Sequence, residues 1–143
     1  MNADNFDFDL IVIGAGYGGF DAAKHASEHG LKVAIIESRE MGGTCVNRGC
    51  VPSKALLAAS GKVRELADAE HLSGLGIHAA PVRFERQKIA DHANNLVSAI
   101  RSNLTKALER AGVTIFRGKG RLEGNQRVGL REISGVDRLL FSK

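Results

Sequence analysis

The segment Gly14-Ala15-Gly16-Tyr17-Gly18-Gly19 follows directly on a short β-rich run, Phe8 to Ile13, and opens an alanine-rich stretch, about Tyr17 to His29, that Gly30 stops. A second apolar run, Lys32 to Glu37, comes next. Short apolar runs bounded by glycine read as buried parallel strands, and the stretch between them reads as a helix. The three form a βαβ unit, which restricts the chain to an α/β fold with a parallel sheet. Gly14 permits the tight turn after the first strand, Gly16 lets backbone approach a pyrophosphate, and Gly19 lets the helix pack closely on the strand. The helix N-terminus then offers free N–H groups to phosphate oxygens. Glu37, ending the second strand, stands where a ribose-binding carboxylate belongs. A plain glycine-rich turn with a solvated glutamate is the alternative, and the strand before and helix after it argue against that.

A few residues beyond Glu37 runs Gly42-Gly43-Thr44-Cys45-Val46-Asn47-Arg48-Gly49-Cys50-Val51-Pro52-Ser53-Lys54, which carries the only two cysteines. On a regular helix, residues five apart are turned about 140° and raised about 7.5 Å. Their Cα atoms would then be roughly 8 to 9 Å apart, beyond the ~7 Å limit for a disulfide. A bridge between Cys45 and Cys50 needs an irregular turn, and Gly49 has the backbone freedom for one. Pro52 suits the first turn of a new helix. A thiolate there would gain from the helix N-terminus and from Arg48 and Lys54, close in sequence. We read the stretch as a redox-active dithiol. A structural disulfide, a zinc half-site and two unrelated buried thiols are the competing readings, and the spacing alone does not exclude the last. No third cysteine is present, and His25, His29 and His71 stand well away in sequence, so no metal site is expected.

In a doubly wound sheet the glycine-rich turn, Glu37 and the dithiol all fall near the carboxyl ends of the strands. A nicotinamide has little use for an adjoining dithiol, whereas a flavin can exchange electrons with one. The residues therefore point to FAD.

At 143 residues and 43% hydrophobic content, the chain suits one domain with a real core. No apolar run reaches membrane-spanning length, and Met1 to Asn5 lack the basic start of a secretory signal. A cytoplasmic, reducing environment is expected. The net charge of +4 arises at the C-terminal end, where residues 117 to 143 hold seven Lys/Arg against three Asp/Glu. These cations are spread singly along expected strands with one aromatic, Phe141, which favours a solvated sheet face over nucleic-acid binding.

Ala55 to Ala69 has Leu56, Ala59, Val63 and Leu66 at helical spacing, with Gly61 as a weak point, and Ser73 to Gly76 breaks it. Ile77 to Pro81 reads as a short strand or loop. Phe84 to Ala111 carries apolar residues at spacings of three and four, a long amphipathic helix with a core-facing stripe, closed by Gly112. His92 beside that stripe reads as structural. Val113 to Phe116 reads as a strand, and Arg117-Gly118-Lys119-Gly120 as a place where backbone meets a ligand or another strand. Arg127 to Lys143 reads as two short strands around Ser134 to Asp137.

On the glycine-rich block, Glu37 and the block from Gly42 to Lys54, in that order and spacing, the chain resembles the flavoprotein pyridine nucleotide-disulfide reductase family over essentially its whole length. Ser53-Lys54-Ala55-Leu56-Leu57 is similar to the branch that oxidises dihydrolipoamide, and Asn47-Arg48-Gly49 with Ala58 to Gly61 to its plastid and cyanobacterial form. The glutathione and mercuric reductases are sister branches, and a non-catalytic flavin-binding or thiol-redox module is a reading from another class.

The resemblance implies a Rossmann-like FAD domain over residues 1–143, incomplete, with flanking helices and a C-terminal β-meander. It implies Cys45 as the interchange thiol, Cys50 as the flavin-facing thiol, and Lys54 near the flavin ring, stabilising its reduced state. Gly14, Gly16 and Gly19 would cradle the FAD pyrophosphate and Glu37 the adenosine ribose. Gly42, Gly43 and Thr44 would line the path to the ribityl chain, and Gly118 would meet the adenine side. The implied reaction oxidises protein-bound dihydrolipoamide with NAD+ through a Cys45–Cys50 disulfide and FAD. The partner implied is a lipoyl-bearing acyltransferase of a 2-oxo acid dehydrogenase complex, or a lipoyl carrier protein. In the family the second FAD motif, the nicotinamide domain, the dimerisation domain and the His-Glu acid–base pair lie beyond the equivalent of Lys143. A fragment inactive alone, and a homodimer at full length, are therefore expected.

Overall fold

A computed structural model describes residues 6–143; Met1 to Asn5, on which the missing secretory start was read, lie outside the described residues. The order is β1 (Leu10–Ile13), α1 (Tyr17–Glu28), β2 (Val33–Glu37), α2 (Gly43–Arg48), α3 (Cys50–Ala67), α4 (Ala69–Gly74), α5 (Arg86–Arg110), β3 (Thr114–Gly124), β4 (Arg127–Glu132) and β5 (Asp137–Phe141). The strands form one mixed sheet in chain order, with β1, β2 and β3 parallel and β3, β4 and β5 an antiparallel meander.

Alternation along β2, whose five residues are all buried, divides the core into two layers. Val33 and Ile35 join Ala15, Phe20, Ala23, Met41, Leu108 and Val113 under α1 and α5. Ala34 and Ile36 face the other way and join Phe8, Val128, Leu130 and Leu140 under the meander. The eleven residues of β3 reach both layers: residues 114–117 pair with β2 and residues 118–124 with β4. The meander returns to the start of β1, where the Asp7 and Phe8 N–H groups donate to the Phe141 carbonyl at 3.0 and 3.2 Å. The basic residues of this region are mostly exposed, and Arg121, Arg131, Arg138 and Lys143 pair with Glu123, Asp137, Glu132 and Asp9. That is the solvated face expected from their spacing.

Four readings need correction. The run Phe8 to Ile13 is not a buried strand: β1 pairs only with β2 among the described strands, and Ile13 is 42% exposed. The helix that holds Pro52 in its first turn starts at Cys50, as that residue implies, but ends at Ala67, short of Ala69. Ser73 and Gly74 belong to α4, which Asp68 starts by accepting a hydrogen bond from the His71 N–H, and the break falls at Leu75 and Gly76. The strand after Gly112 does not stop at Phe116. It runs to Gly124, because Gly118 and Gly120 let it approach its neighbours closely. Residues 77 to 85 are loop, and α5 runs as one helix with Ala93, Val97 and Leu108 buried. No helix among the described residues is long and apolar enough to cross a membrane.

Candidate functional site

The glycine-rich turn is built as its spacing requires. Gly14 has φ +98°, in the left-handed region that favours glycine. A Cβ on Gly19 would fall 1.9 Å from the Gly14 carbonyl oxygen and 3.2 Å from Val12 Cγ1, so α1 can sit this close to the turn only with glycine there. Gly16 faces open space: a Cβ built on it would meet nothing within 4 Å. It is the N-cap of α1, with no side chain capping the helix, so the first helical N–H groups stay free for an anion.

Glu37 is buried at 8% exposure, and both its oxygens hold backbone. Oε2 accepts from the Ala15 N–H at 2.7 Å and Oε1 from the Arg39 N–H at 2.7 Å. A carboxylate has about four acceptor sites, so two N–H donors leave capacity for hydroxyls. The Ala15 carbonyl in turn accepts from the Gly42 N–H at 2.7 Å. Fully buried Ala15 thus ties the first glycine turn to the end of β2 through its N–H and to the start of α2 through its C=O.

Gly42 and Gly43 have φ +90° and +59°, and a Cβ on Gly43 would lie 3.0 Å from Gly16 Cα. The two glycine turns therefore touch backbone to backbone, with Thr44 exposed beside them. Gly118 is placed differently. Its missing Cβ would fall 2.3 Å from the Arg131 carbonyl oxygen, so the close approach it allows is to strand β4.

The cysteines straddle a break between helices. Cys45 lies in α2, Cys50 is the first residue of α3, and Gly49 between them is non-helical with φ −132° and ψ −115°. A Cβ on Gly49 would lie 3.0 Å from the Thr44 carbonyl oxygen and 3.3 Å from Cys45 Cα, which is how the break draws the cysteines together. Both are free thiols, Cys45 half-buried and Cys50 exposed, and hydrogen bonding between the two sulfurs is the largest influence on how each ionises. The bond from Cys45 holds the Cys50 thiol below its ordinary pKa, and the Lys54 charge adds to this. The same bond, with desolvation and the nearby Cys50 charge, raises Cys45. The two directions favour ionisation at Cys50 before Cys45. Arg48 gives no such help, against expectation: its Nη2 pairs with Glu40 Oε2 at 2.9 Å and holds that carboxyl below its ordinary value.

Asn47 was not singled out by its sequence neighbourhood. Its Nδ2 donates to the carbonyls of Met41 at 2.9 Å and Gly43 at 2.8 Å. Its Oδ1 accepts from Arg101 Nε at 3.0 Å and Nη2 at 2.7 Å. The signal available was an uncharged polar residue between two cysteines; its partner is 54 positions away. Among the described residues, no group of three or more His, Cys, Asp or Glu is placed to hold a metal ion.

A family model described as pyridine nucleotide-disulphide oxidoreductase matches residues 8–142. The dihydrolipoyl dehydrogenase of Synechocystis sp. is 59% identical over 126 residues, 88% of this chain and 27% of that protein. Dihydrolipoyl dehydrogenase 2, chloroplastic, of Arabidopsis thaliana is 53% identical over 135 residues, 93% of this chain and 24% of that protein. The glutathione reductase of Burkholderia cepacia is 41% identical over 123 residues, covering 86% and 27%. The chain spans about a quarter of the length of these curated relatives.

Proposed function

Because the chain belongs to the pyridine nucleotide-disulphide oxidoreductases, matching their model over residues 8–142, we propose that it is the FAD- and disulfide-bearing part of a dihydrolipoyl dehydrogenase. The observation that carries the reading is the seating of α2, which bears Cys45, on the glycine-rich turn: the Gly42 N–H on the Ala15 carbonyl, and Gly43 against Gly16. It joins Cys45 to the glycine-rich turn through backbone contacts, with Cys50 next along the chain across the Gly49 break.

The residues present suit FAD. The open space at Gly16 and the uncapped start of α1 would take its pyrophosphate, and the spare capacity of Glu37 its ribose hydroxyls. Gly14 and Gly19 shape that turn, Gly42, Gly43 and Thr44 continue the cradle, and Lys54 stands near the thiols. Gly118 is kept as an adenine-side residue through its backbone alone, since β4 occupies the space beside it. When bound, the flavin supplies a two-electron acceptor for the cysteine pair.

The chemistry of the pair itself is thiol–disulfide exchange. A dihydrolipoyl thiolate attacks Cys45 Sγ of the Cys45–Cys50 disulfide, the S–S bond breaks, and Cys50 leaves as the thiolate that Lys54 favours. The second substrate thiol, once deprotonated, displaces Cys45, which takes up a proton. The substrate ends as a cyclic disulfide, and its two electrons rest on Cys45 and Cys50.

The partner under this reading is a lipoyl-bearing acyltransferase of a 2-oxo acid dehydrogenase complex, or a lipoyl carrier protein, in a reducing cytoplasmic compartment. Reduction of NAD+, the acid–base pair and homodimer formation are assigned to the parts of the relatives that this chain does not span. A glutathione-specific sister is the second reading, supported by the 41% identity to the Burkholderia cepacia protein.

The test is an absorbance spectrum of the purified chain with FAD, before and after dithiothreitol, beside Cys50→Ser. The expected result is a protein-bound flavin spectrum that gains a long-wavelength band on reduction, absent in the variant. No retention of flavin by folded chain sinks the reading. Preparing the disulfide form and reducing it with dihydrolipoamide or with glutathione then separates the two substrates.

A further inference from the structure

We propose that Arg101 is a positioning residue for the dithiol, acting through the Asn47 carboxamide to hold α2, and with it Cys45, against Cys50. The proposal rests on the reading of the pair as a redox dithiol.

Helix α2 is six residues long, too short to persist on its own strength, and no side chain caps its start. The position of Cys45 is therefore set by what fastens α2 from outside. Val46 is fully buried beside Gly42, and Arg48 reaches Glu40 at the surface. Between them, the Asn47 carboxamide is fully used: two N–H groups on the Met41 and Gly43 carbonyls, and two donors from Arg101 on Oδ1. An asparagine side chain can present either its oxygen or its amino group to a neighbour. A guanidinium has donors only, so Arg101 donates to the oxygen and leaves the amino group turned onto the two carbonyls.

Those carbonyls belong to the approach to α2 and to its first residue, so the amide closes α2 back on the turn that precedes it. Arg101 can impose this because it stands on α5, which buries Ala93, Val97 and Leu108 and enters the core under the sheet through Leu108. The link joins the core to the short helix that bears one thiol, while Cys50 stands on α3, which has no buried residue. Releasing Arg101 frees the amide to turn over and α2 to shift from the head of α3. The local concentration of one thiol at the other falls, and the disulfide becomes harder to form.

The 143-residue chain can be equilibrated with reduced and oxidised dithiothreitol and its free thiols trapped. The reaction balances: Cys45 and Cys50 lose two protons and two electrons to the cyclic dithiothreitol disulfide, which becomes the dithiol. For Arg101→Met, the equilibrium constant for the Cys45–Cys50 disulfide is expected to fall about tenfold, which for a two-electron couple is about 30 mV. Arg101→Lys, with a single donor group, should recover part of the loss. Asn47→Asp keeps a partner for Arg101 but loses both N–H donors, and should match Arg101→Met; the double variant should be no worse than either.

An Arg101→Met chain that loses thermal stability while its equilibrium constant stays within twofold of the parent overturns the proposal, as does an additive double variant. Should Arg101→Met not fold, Arg101→Lys decides: a fall of about threefold supports the proposal, and no fall overturns it. The measurement uses neither flavin nor lipoyl substrate. A chain that fails to retain FAD but shows these shifts loses the flavoprotein reading alone; one that retains FAD without them loses this inference alone.

Discussion

Helix α1 follows the first glycine turn of the site, α3 follows the break at Gly49, and the two differ sharply in how they are held. Helix α1 buries Phe20 and Ala23 against the sheet, and at its head Gly19 touches the turn it grew from. Helix α3 runs for eighteen residues without burying one, and leaves Leu57 at 68% exposure, with Leu56 and Leu66 near half. Its chief neighbour is α5, which it accompanies away from the sheet. The cradle from β1 to α2 thus closes on itself through main-chain contacts, whereas α3 presents apolar residues that nothing in the described residues covers. The two cysteines thus stand on different supports, Cys45 on α2 beside the cradle and Cys50 at the head of α3.

The sharpest way to break this contrast is Gly19→Val. The added atoms would overlap the Gly14 carbonyl, and the loss should be about 3 kcal/mol or more, read by urea unfolding. A smaller loss would mean the turn is softer than its contacts imply. Glu37→Leu leaves the buried Ala15 N–H without a partner and should cost about 1 to 3 kcal/mol, while Glu37→Gln, which keeps one acceptor, should cost less. Equal losses would show that charge rather than hydrogen bonding ties the turns.

At the dithiol the expected effect is a shifted titration. Iodoacetamide alkylation followed against pH should find Cys50 reacting at lower pH than Cys45, because the thiolate forms there first. Cys45→Ala removes the S–H donor and should move the Cys50 profile to higher pH, with Lys54→Met moving it less. Smallest of all, Leu57→Ser on the open face of α3 should stay within about 0.5 kcal/mol. A drop above 1.5 kcal/mol there would mean that this face is covered in solution.

Much of the cradle was legible because its determinants are local. A left-handed turn at Gly14, a helix ended near Gly30 and a break at Gly49 are demands of single residues and their neighbours, and glycine announces each of them. The C-terminal meander was legible from its turn residues. The exposed edge at β1 was missed because an apolar parallel strand looks the same whether one or two neighbours pair with it. Pro52, the third residue of α3, stands in the first turn that its ring geometry suits.

The sequence by itself determined the βαβ unit, the positions that must be glycine and the short interval that holds both thiols. All of these depend on backbone sterics within a few residues. Tertiary structure alone decided which polar groups hold those pieces together. Glu37 serves the Ala15 N–H 22 residues away and Arg101 serves Asn47 across 54, partnerships that exist only after the sheet and α5 have packed. It also decided which cation acts on the thiols, because Arg48, nearer in sequence to both cysteines, spends its charge on Glu40, and Lys54 is the one that favours their charged forms. A side chain's reach is three-dimensional, and the nearest charge along the chain need not be the nearest in space.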